Sequence, residues 1–262
     1  MLSRAQREEF EARGLLWLRA AVDPGVVADL RARILEYLAQ KRAIPESPPA
    51  SFVIHAARTS RLMGAFDFAK TWGDSGVAAI DDMLGAGRWL VPQHAGQLLM
   101  MTWPNPGAEW RLPHKVWHLD YPAPAAATVI PGIQVFLFVD RIEPRSGGTL
   151  FVAGSHRLVD ALRRRQPPDW PGASSEVRRS LAREVPWLRE LWSLRPGEDR
   201  IARFMERVSV VAGGELQVVE AVGEPADVLV MHPWVLHAPA PNCGTRPRML
   251  LTERIRLRTG GD

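Results

Sequence analysis

The sequence predicts a mainly β fold, a sandwich or barrel, with a helical region at its N-terminus and a helical insertion between strands. After residue 96, short apolar runs alternate with Gly and Pro, as in all-β domains. Before and between these runs, apolar residues recur at helical spacing. With 262 residues, 46% of them hydrophobic, the chain is long enough for a sizeable core, and we expect one domain spanning residues 1–262.

The N-terminal region is predicted to be helix, strand, helix. Ser3 can cap a helix that runs to Arg13 and ends at Gly14, and the apolar run Leu15–Leu18 resembles a strand. Asp23-Pro24 begins a second helix, because proline is favoured in the first turn. Its apolar face comprises Val27, Leu30, Ile34, Leu35 and Leu38, and a loop over Ile44–Pro49 ends it.

The β region contains eight predicted strands and one long interruption. The strands are Gln97–Trp103, Val116–Tyr121, Ile133–Asp140, Thr149–Ala153, Val208–Ala212, Glu215–Val222, Asp227–His232 and Met249–Arg256. The interruption, Arg157–Arg207, has helical spacing and contains 12 Arg and 8 acidic residues. It is short for an independent core, so we expect a helical insertion between strands. Because loops this long are usually functional, the insertion is a candidate lid over the barrel opening.

Charge and composition favour a cytoplasmic protein that binds neither nucleic acid nor a membrane. The net charge is +4, but basic and acidic residues are interleaved, and only three of the 33 basic residues are lysines. The sequence has no apolar run of membrane-spanning length and no apolar signal-peptide core near its start. A single cysteine, Cys243, excludes a disulfide framework and a cysteine-ligated zinc site.

The most informative local motif is His118-Leu119-Asp120. In a strand, residues i and i+2 project from the same face with Cα atoms about 6–7 Å apart, so both side chains can reach one metal ion. His237, at the end of the later apolar run, would complete a set of two histidines and one carboxylate. That set leaves three metal positions open and is typical of Fe(II) oxygenases, whereas zinc usually prefers tetrahedral sites richer in nitrogen and sulfur.

An arginine near the start of the last strand is a candidate anion ligand. Arg248 lies eleven residues after His237, and its planar fork could bind a carboxylate bidentately while staying charged when buried. Arg246 is the nearby competitor, and with so many arginines in the chain a surface role for either stays open.

Together these motifs resemble the phytanoyl-CoA dioxygenase family. The likeness comprises His118-x-Asp120, the segment Gly147–Arg157, and His237 followed by Pro241-Asn242 and Arg248, and it spans nearly the whole chain. This chain departs from the common pattern at Ala153, where proline is frequent, and at Pro239, where many members have a serine.

The resemblance implies a double-stranded β-helix of the jelly-roll, cupin-like type, flanked by helices. It further implies Fe(II) as cofactor, with 2-oxoglutarate and O2 as co-substrates that yield succinate and CO2 while a small-molecule substrate is oxidised. His118, Asp120 and His237 are then expected to hold iron and Arg248 the far carboxylate of 2-oxoglutarate. Met100, Gln134 and Phe136 are expected to line the co-substrate pocket.

Four further residues are candidates for contact with the substrate. Lys115 and Trp117 flank the iron motif, and Trp103 and Trp234 lie beside the proposed pocket strands. For each of them the alternative is a loop or core position.

The predicted reaction is hydroxylation of a C–H bond. Halogenation is disfavoured because halogenases that resemble this family have a small residue in place of the carboxylate, which is present here as Asp120. A non-redox cupin-like isomerase using zinc or nickel, or a jelly-roll binding module without turnover, remain as alternatives.

Overall fold

Two antiparallel sheets packed face to face form the centre of the protein. The computed structural model describes residues 1–40, 66–94, 96 and 99–258, together with the backbone alone of 52–55 and 98. The strands are β1 (Leu15–Leu18), β2 (Phe52–His55), β3 (Leu98–Thr102), β4 (Gly132–Phe138), β5 (Leu150–Ala153), β6 (Ser209–Val211), β7 (Gly214–Glu220), β8 (Val228–Met231), β9 (His237–Ala238) and β10 (Arg248–Arg256). One sheet has the order β1-β8-β4-β10-β3-β2 and the other β6-β7-β5-β9, which together make a double-stranded β-helix.

Helices cover the outer faces of both sheets. They are α1 (Arg4–Arg13), α2 (Pro24–Gln40), α3 (Phe68–Leu84), α4 (Ser155–Arg163), α5 (Ser174–Glu184), α6 (Pro186–Leu191) and α7 (Arg200–Phe204). Within the described parts of the chain, no helix combines the length and the apolar character needed to cross a membrane.

Alternation along the strands divides the buried side chains into three layers. On β5, Phe151 and Ala153 face the space between the sheets, whereas Leu150 and Val152 face the helices α4–α7. A further layer lies between the large sheet and helices α2 and α3. The site described below therefore lies between two sheets that are each supported from outside.

The N-terminal predictions agree closely with the structure. Ser3 accepts a hydrogen bond from the backbone N–H of Gln6, and Gly14 ends α1 with a φ of 71°. The buried face of α2 contains four of the five predicted residues, but Leu35 is 38% exposed, so its inclusion was wrong. The predicted loop over residues 44–49 and the predicted strand start at residue 97 lie outside the described residues.

Two elements differ from the prediction. Helix α3 was not predicted, because its sequence includes Gly73, Gly76 and Thr71, which are poor helix formers. The strand predicted over 116–121 is instead an irregular segment with a single bridge, His118 to His237, and bends at Asp120 and Tyr121. Val116 has a φ of 61°, in the left-handed region, and this conformation interrupts strand pairing immediately before the motif.

The segment between β5 and β6 is helical and packed. Helix α4 begins at Ser155, two residues before the predicted start of the insertion. Val159, Leu162, Val177, Leu188 and Phe204 are fully buried in one cluster with residues of β5 and β7.

Candidate metal centre and the cavities beside it

His118, Asp120 and His237 meet at one end of the space between the sheets. Backbone hydrogen bonds join His118 and His237 in both directions, at 2.9 and 3.1 Å, so their rings lie side by side with centroids 4.3 Å apart. The Nε2 atoms of His118 and His237 lie 3.6 and 3.4 Å from the carboxylate oxygens of Asp120. One ligand atom from each residue lies within 4.8 Å of the others, close enough to share one ion.

The backbone fixes which nitrogen of each imidazole faces the centre. Nδ1 of His118 lies 2.9 Å from the carbonyl of Val116, and Nδ1 of His237 lies 3.1 Å from the carbonyl of Val235. A carbonyl can only accept, so both Nδ1 atoms carry the proton. Both Nε2 atoms therefore present lone pairs, which is the arrangement that orients metal-binding histidines in proteins.

Asp120 is held as a carboxylate. Burial by itself raises its pKa, but the imidazoles of His118 and His237 in their protonated form and the positive charge of Arg254 outweigh burial, so the pKa lies well below its usual range. Nη2 of Arg254 is 3.1 Å from Oδ1 of Asp120. Only the protonated ring of His118 can donate to Asp120, and this contact raises the pKa of His118.

A cavity of 240 Å³ extends from this triad between the sheets. Its described lining includes all three triad residues at one end and Arg248 from β10. The remaining lining residues are Met100, Met101, Thr102, Gln134, Phe136, Thr149, Pro239 and Thr252. The three residues expected in the co-substrate pocket, Met100, Gln134 and Phe136, thus lie around the same cavity as the triad.

Arg248 is a buried cation with an unused donor. Its residue is 3% exposed, and Nε donates to the carbonyl of Gly147 at 2.8 Å. Nη1 has no hydrogen-bond partner among the described residues, and burial lowers the pKa of the guanidinium to about 10. Arg246, by contrast, is exposed and does not line the cavity.

The turn before β10 determines that Arg248, and not Arg246, faces the cavity. The side-chain nitrogen of Asn242 donates to the carbonyls of Thr102 and Arg246, at 2.9 and 2.8 Å. Gly147 approaches this turn so closely that an added Cβ would lie 2.9 Å from Cβ of Asn242, and its φ is 87°. A glycine is required there, and its carbonyl then orients Arg248.

Other polar atoms around the cavity also lack partners. The hydroxyls of Thr102 and Thr149 and the amide oxygen of Gln134 are buried without a hydrogen bond to any described residue. Buried polar atoms are nearly always satisfied, so unpaired donors and acceptors grouped around one cavity indicate a polar ligand. Thr102, Thr149, Thr252 and Arg254 were not singled out from the sequence, although residues 248, 252 and 254 share one face of a strand.

A second, larger cavity of 770 Å³ lies on the outer side of Asp120. Its walls are the segment from Tyr121 to Pro131 and the end of β10 with the residues that follow, including Arg254, Arg256, Leu257 and Arg258. Asp120 lines both cavities, so the candidate metal centre lies between them.

The four residues expected to contact the substrate line neither cavity. Trp117 and Trp234 are 0% and 2% exposed in the layer beneath α4–α7, and Trp103 packs against the layer beneath α2 and α3. Lys115 is exposed on the approach to the motif. The two buried tryptophans donate through Nε1 to the carbonyls of Pro113 and Pro122, so they brace these segments from behind.

Comparison with known proteins identifies a family match. The profile described as Phytanoyl-CoA dioxygenase (PhyH) matches residues 10–250. No curated protein matches the chain.

Several solved structures are similar over nearly the whole chain. The epimerase SnoN in complex with Fe3+, alpha ketoglutarate and nogalamycin RO has a TM-score of 0.54 and 16% identity, covering 98% of this chain and 86% of that one. HygX from Streptomyces hygroscopicus, with nickel and 2-oxoglutarate bound, has a TM-score of 0.54 and 15% identity, covering 98% and 88%. EctD from S. alaskensis, with 2-oxoglutarate and 5-hydroxyectoine, has a TM-score of 0.56 and 15% identity, covering 98% and 76%. At such identities these likenesses show the shared fold.

Proposed function

The chain belongs to the phytanoyl-CoA dioxygenase family, and from this premise we propose that it is an Fe(II)- and 2-oxoglutarate-dependent dioxygenase that hydroxylates a C–H bond of a small organic molecule. The family uses Fe(II), 2-oxoglutarate and O2. The observation that carries the proposal is one cavity with a two-histidine, one-carboxylate triad and a buried arginine that has an unused donor.

The donor set fits iron. His118 and His237 would supply neutral imidazole nitrogens and Asp120 a carboxylate oxygen, which matches the facial triad of non-haem Fe(II) oxygenases. No cysteine lines the cavity, as expected for a site without thiolate ligands. Arg254 would hold the carboxylate of Asp120 in place from the outer side.

The rest of the cavity fits 2-oxoglutarate. Arg248 would pair with the far carboxylate through its free Nη1, and the hydroxyls of Thr102 and Thr149 could donate to the same anion. Many family members have a serine at the position of Pro239, and these threonines would supply hydroxyls that Pro239 lacks. Met100 and Phe136 would form apolar walls that exclude water and strengthen the charge pair.

When bound, iron with 2-oxoglutarate and O2 supplies the oxidising chemistry that removes a hydrogen atom from the substrate, with release of succinate and CO2. The residues of this chain hold the reactants. The triad directs three donor atoms to one point, Arg248 orients the co-substrate, and the outer cavity beside Asp120 receives the substrate.

A different oxidative outcome is the second candidate, because the similar structures include an epimerase and a carbocyclase. These outcomes share oxygen activation with hydroxylation but differ in the fate of the substrate. Once a substrate has been found, turnover under ¹⁸O2 separates them, since succinate is labelled in every case but only hydroxylation places the label in the oxidised substrate. A non-redox isomerase or a binding module would release no succinate.

The test of the proposed function is iron-dependent succinate release. We expect His118→Ala, Asp120→Ala and His237→Ala each to lower it by at least about 100-fold while the far-ultraviolet circular dichroism stays unchanged. His114→Ala is the matched control, because His114 is close in sequence and lines neither cavity. Wild-type turnover in any of the three variants would remove that residue from the triad, and no succinate from the wild type would reject the function.

A further inference from the structure

The outer cavity is lined by three arginines that project from one face of the chain. Arg254, Arg256 and Arg258 alternate along the end of β10 and the residues after it, and all three line this cavity. They continue the alternation that places Arg248 and Thr252 in the inner cavity. One face of one strand therefore supplies the basic groups of both cavities.

Few negative charges lie close to these three arginines. Asp120 is the only carboxylate among the described residues that line the outer cavity, and it pairs with Arg254 beside the metal centre. For Arg256 and Arg258, no ion pair with a described acidic residue is present within 4.0 Å. The outer end of the cavity is thus positive while its inner end is occupied by the metal ligands.

The opposite wall is apolar and fixed in place. It is formed by residues of the segment 121–131, among them Pro124, Val129 and Ile130. Arg163, which is 5% exposed, donates to the carbonyl of Ala127 at 2.6 Å and stacks over Trp234. Backbone bonds from Ala123 and Ala125 to Gly172 and Trp170 attach the same wall to the insertion.

We propose that the substrate is an organic acid, with one carboxylate or phosphate group bound by Arg256 and Arg258 and an apolar body against the segment 121–131. This inference rests on the proposed function and names its substrate class. The guanidinium fork suits either anion, and a positive cavity mouth also raises the local concentration of anionic ligands. The apolar body would then reach inward toward Asp120, where oxidation occurs.

Calorimetric titration of acids and neutral analogues into the protein, loaded with Ni(II) and saturating 2-oxoglutarate, tests the proposal without turnover. The probes are octanoate, octyl phosphate, octanamide and octylamine. We expect at least one of the two anions to bind at least about tenfold more tightly than octanamide, and octylamine to bind most weakly. Whichever anion binds more tightly identifies the acid class.

The decisive variant is Arg256→Gln combined with Arg258→Gln. Both arginines are exposed, so we expect the dissociation constant for the preferred anion to rise about three- to tenfold while that for octanamide changes less than twofold. Arg179→Gln with Arg189→Gln is the matched control, because it removes the same charge from two exposed arginines that do not line the cavity.

Three outcomes would overturn the proposal: equal affinity for octanamide and both anions, unchanged anion binding in the Arg256 and Arg258 double variant, or no binding of any probe. Failure of the proposed function is a separate result, seen as absent 2-oxoglutarate binding and absent succinate. In that case the same comparisons on the protein without metal still decide whether this cavity selects acids.

Discussion

At the scale of single residues, Arg248 is the residue that most strongly indicates 2-oxoglutarate as co-substrate. Its guanidinium is fully enclosed, keeps one donor unused, and has its pKa lowered to about 10 by burial. Even so, it is charged at neutral pH, so an anion in the cavity would gain a charge-assisted contact. Arg246, two residues earlier, lies in solvent.

We predict that Arg248→Ala weakens 2-oxoglutarate binding by roughly 30-fold to a few thousand-fold. Truncating one member of a buried charge pair costs about 2–5 kcal/mol, and each 1.4 kcal/mol is a factor of ten. Arg248→Lys should recover part of the loss, because an ammonium lacks the fork. The measurement is anaerobic titration of 2-oxoglutarate into the Fe(II) protein, followed by the visible absorbance of the chelate.

Arg246→Ala is the control for this prediction and should bind 2-oxoglutarate normally. If neither arginine variant changes the affinity, the far carboxylate is not bound by this strand, and the assignment of the inner cavity to 2-oxoglutarate fails.

Alternation explains which residues of the site could be found from the sequence. The i, i+2 spacing brought His118 and Asp120 together, and the same rule places Trp117 and Leu119 on the opposite face, in the core beneath α4–α7. Proximity to the motif was therefore a poor reason to expect Trp117 in the substrate pocket. Thr149 and Thr102 could not be found by spacing, because only the three-dimensional pairing of β3 and β5 with other strands brings them to one cavity.

At the scale of elements, a buried histidine, His156, and a half-buried one, His232, join three segments. His156 on α4 accepts no hydrogen bond at Nδ1 from the described residues, and its Nε2 lies 3.1 Å from the carbonyl of Glu11 on α1. The ring centroids of His156 and His232, which follows β8, lie 4.7 Å apart. Gly14 packs directly against the ring of His156. His156 thereby attaches α4 to α1.

This pair makes the fold sensitive to acid. Burial lowers the pKa of His156 to about 4 and that of His232 well below its ordinary value. Both histidines are neutral in the folded state, whereas the unfolded chain binds their protons near pH 6.5, so unfolding becomes easier as pH falls from 6.5 toward 4. His156 alone accounts for about 3 kcal/mol over this window.

We predict that His156→Gln reduces the loss of stability between pH 6.5 and 4, by up to about 1.4 kcal/mol for each pH unit. A glutamine can still donate to the carbonyl of Glu11. Urea unfolding of the metal-free protein at several pH values provides the measurement, with His114→Gln as control. Stability curves of wild type and His156→Gln that run parallel through this window would contradict the assignment.

Short-range signals also decided which elements were predictable. Helix α1 has a cap residue, a reciprocal Gln6 and a terminal glycine, all visible in the sequence. Helix α3 has its own cap in Asp67, but its interior is poor in helix formers, and it is stabilised by burial of residues such as Phe68 and Trp72. That burial depends on the sheet beneath it, which no local pattern reveals.

At the scale of the whole molecule, the insertion is a packed outer layer with exposed turns, of which Leu194–Gly197 is the longest exposed run. Its helices bury apolar side chains against β5 and β7, whereas Leu194–Gly197, between α6 and α7, is exposed. The sequence suggested a lid over the cavity. If the insertion is a lid, the part that moves is this stretch rather than the helices, because opening the helices would expose the whole cluster.

We expect limited subtilisin digestion to cut first within 193–199. Protection of this stretch by Ni(II), 2-oxoglutarate and octanoate would support a lid. Equal cleavage in every state would show that the insertion is a fixed layer. Cleavage at the exposed turn around Gly107, which is remote in sequence from the insertion, serves as the internal control.

The pairing of β10 with two neighbouring strands limits where the chain can gain or lose residues. Arg248 and Arg254 share one face of this strand, which pairs with β3 and β4 on either side. Deleting or inserting one residue between them would turn one of the two arginines away from its cavity. The segment 121–131 has no pairing register to keep, since single hydrogen bonds at Ala123, Ala125 and Ala127 attach it instead of strand pairing. Loop lengthening or shortening that reshapes the substrate cavity is therefore expected in that segment, while β10 must keep its length.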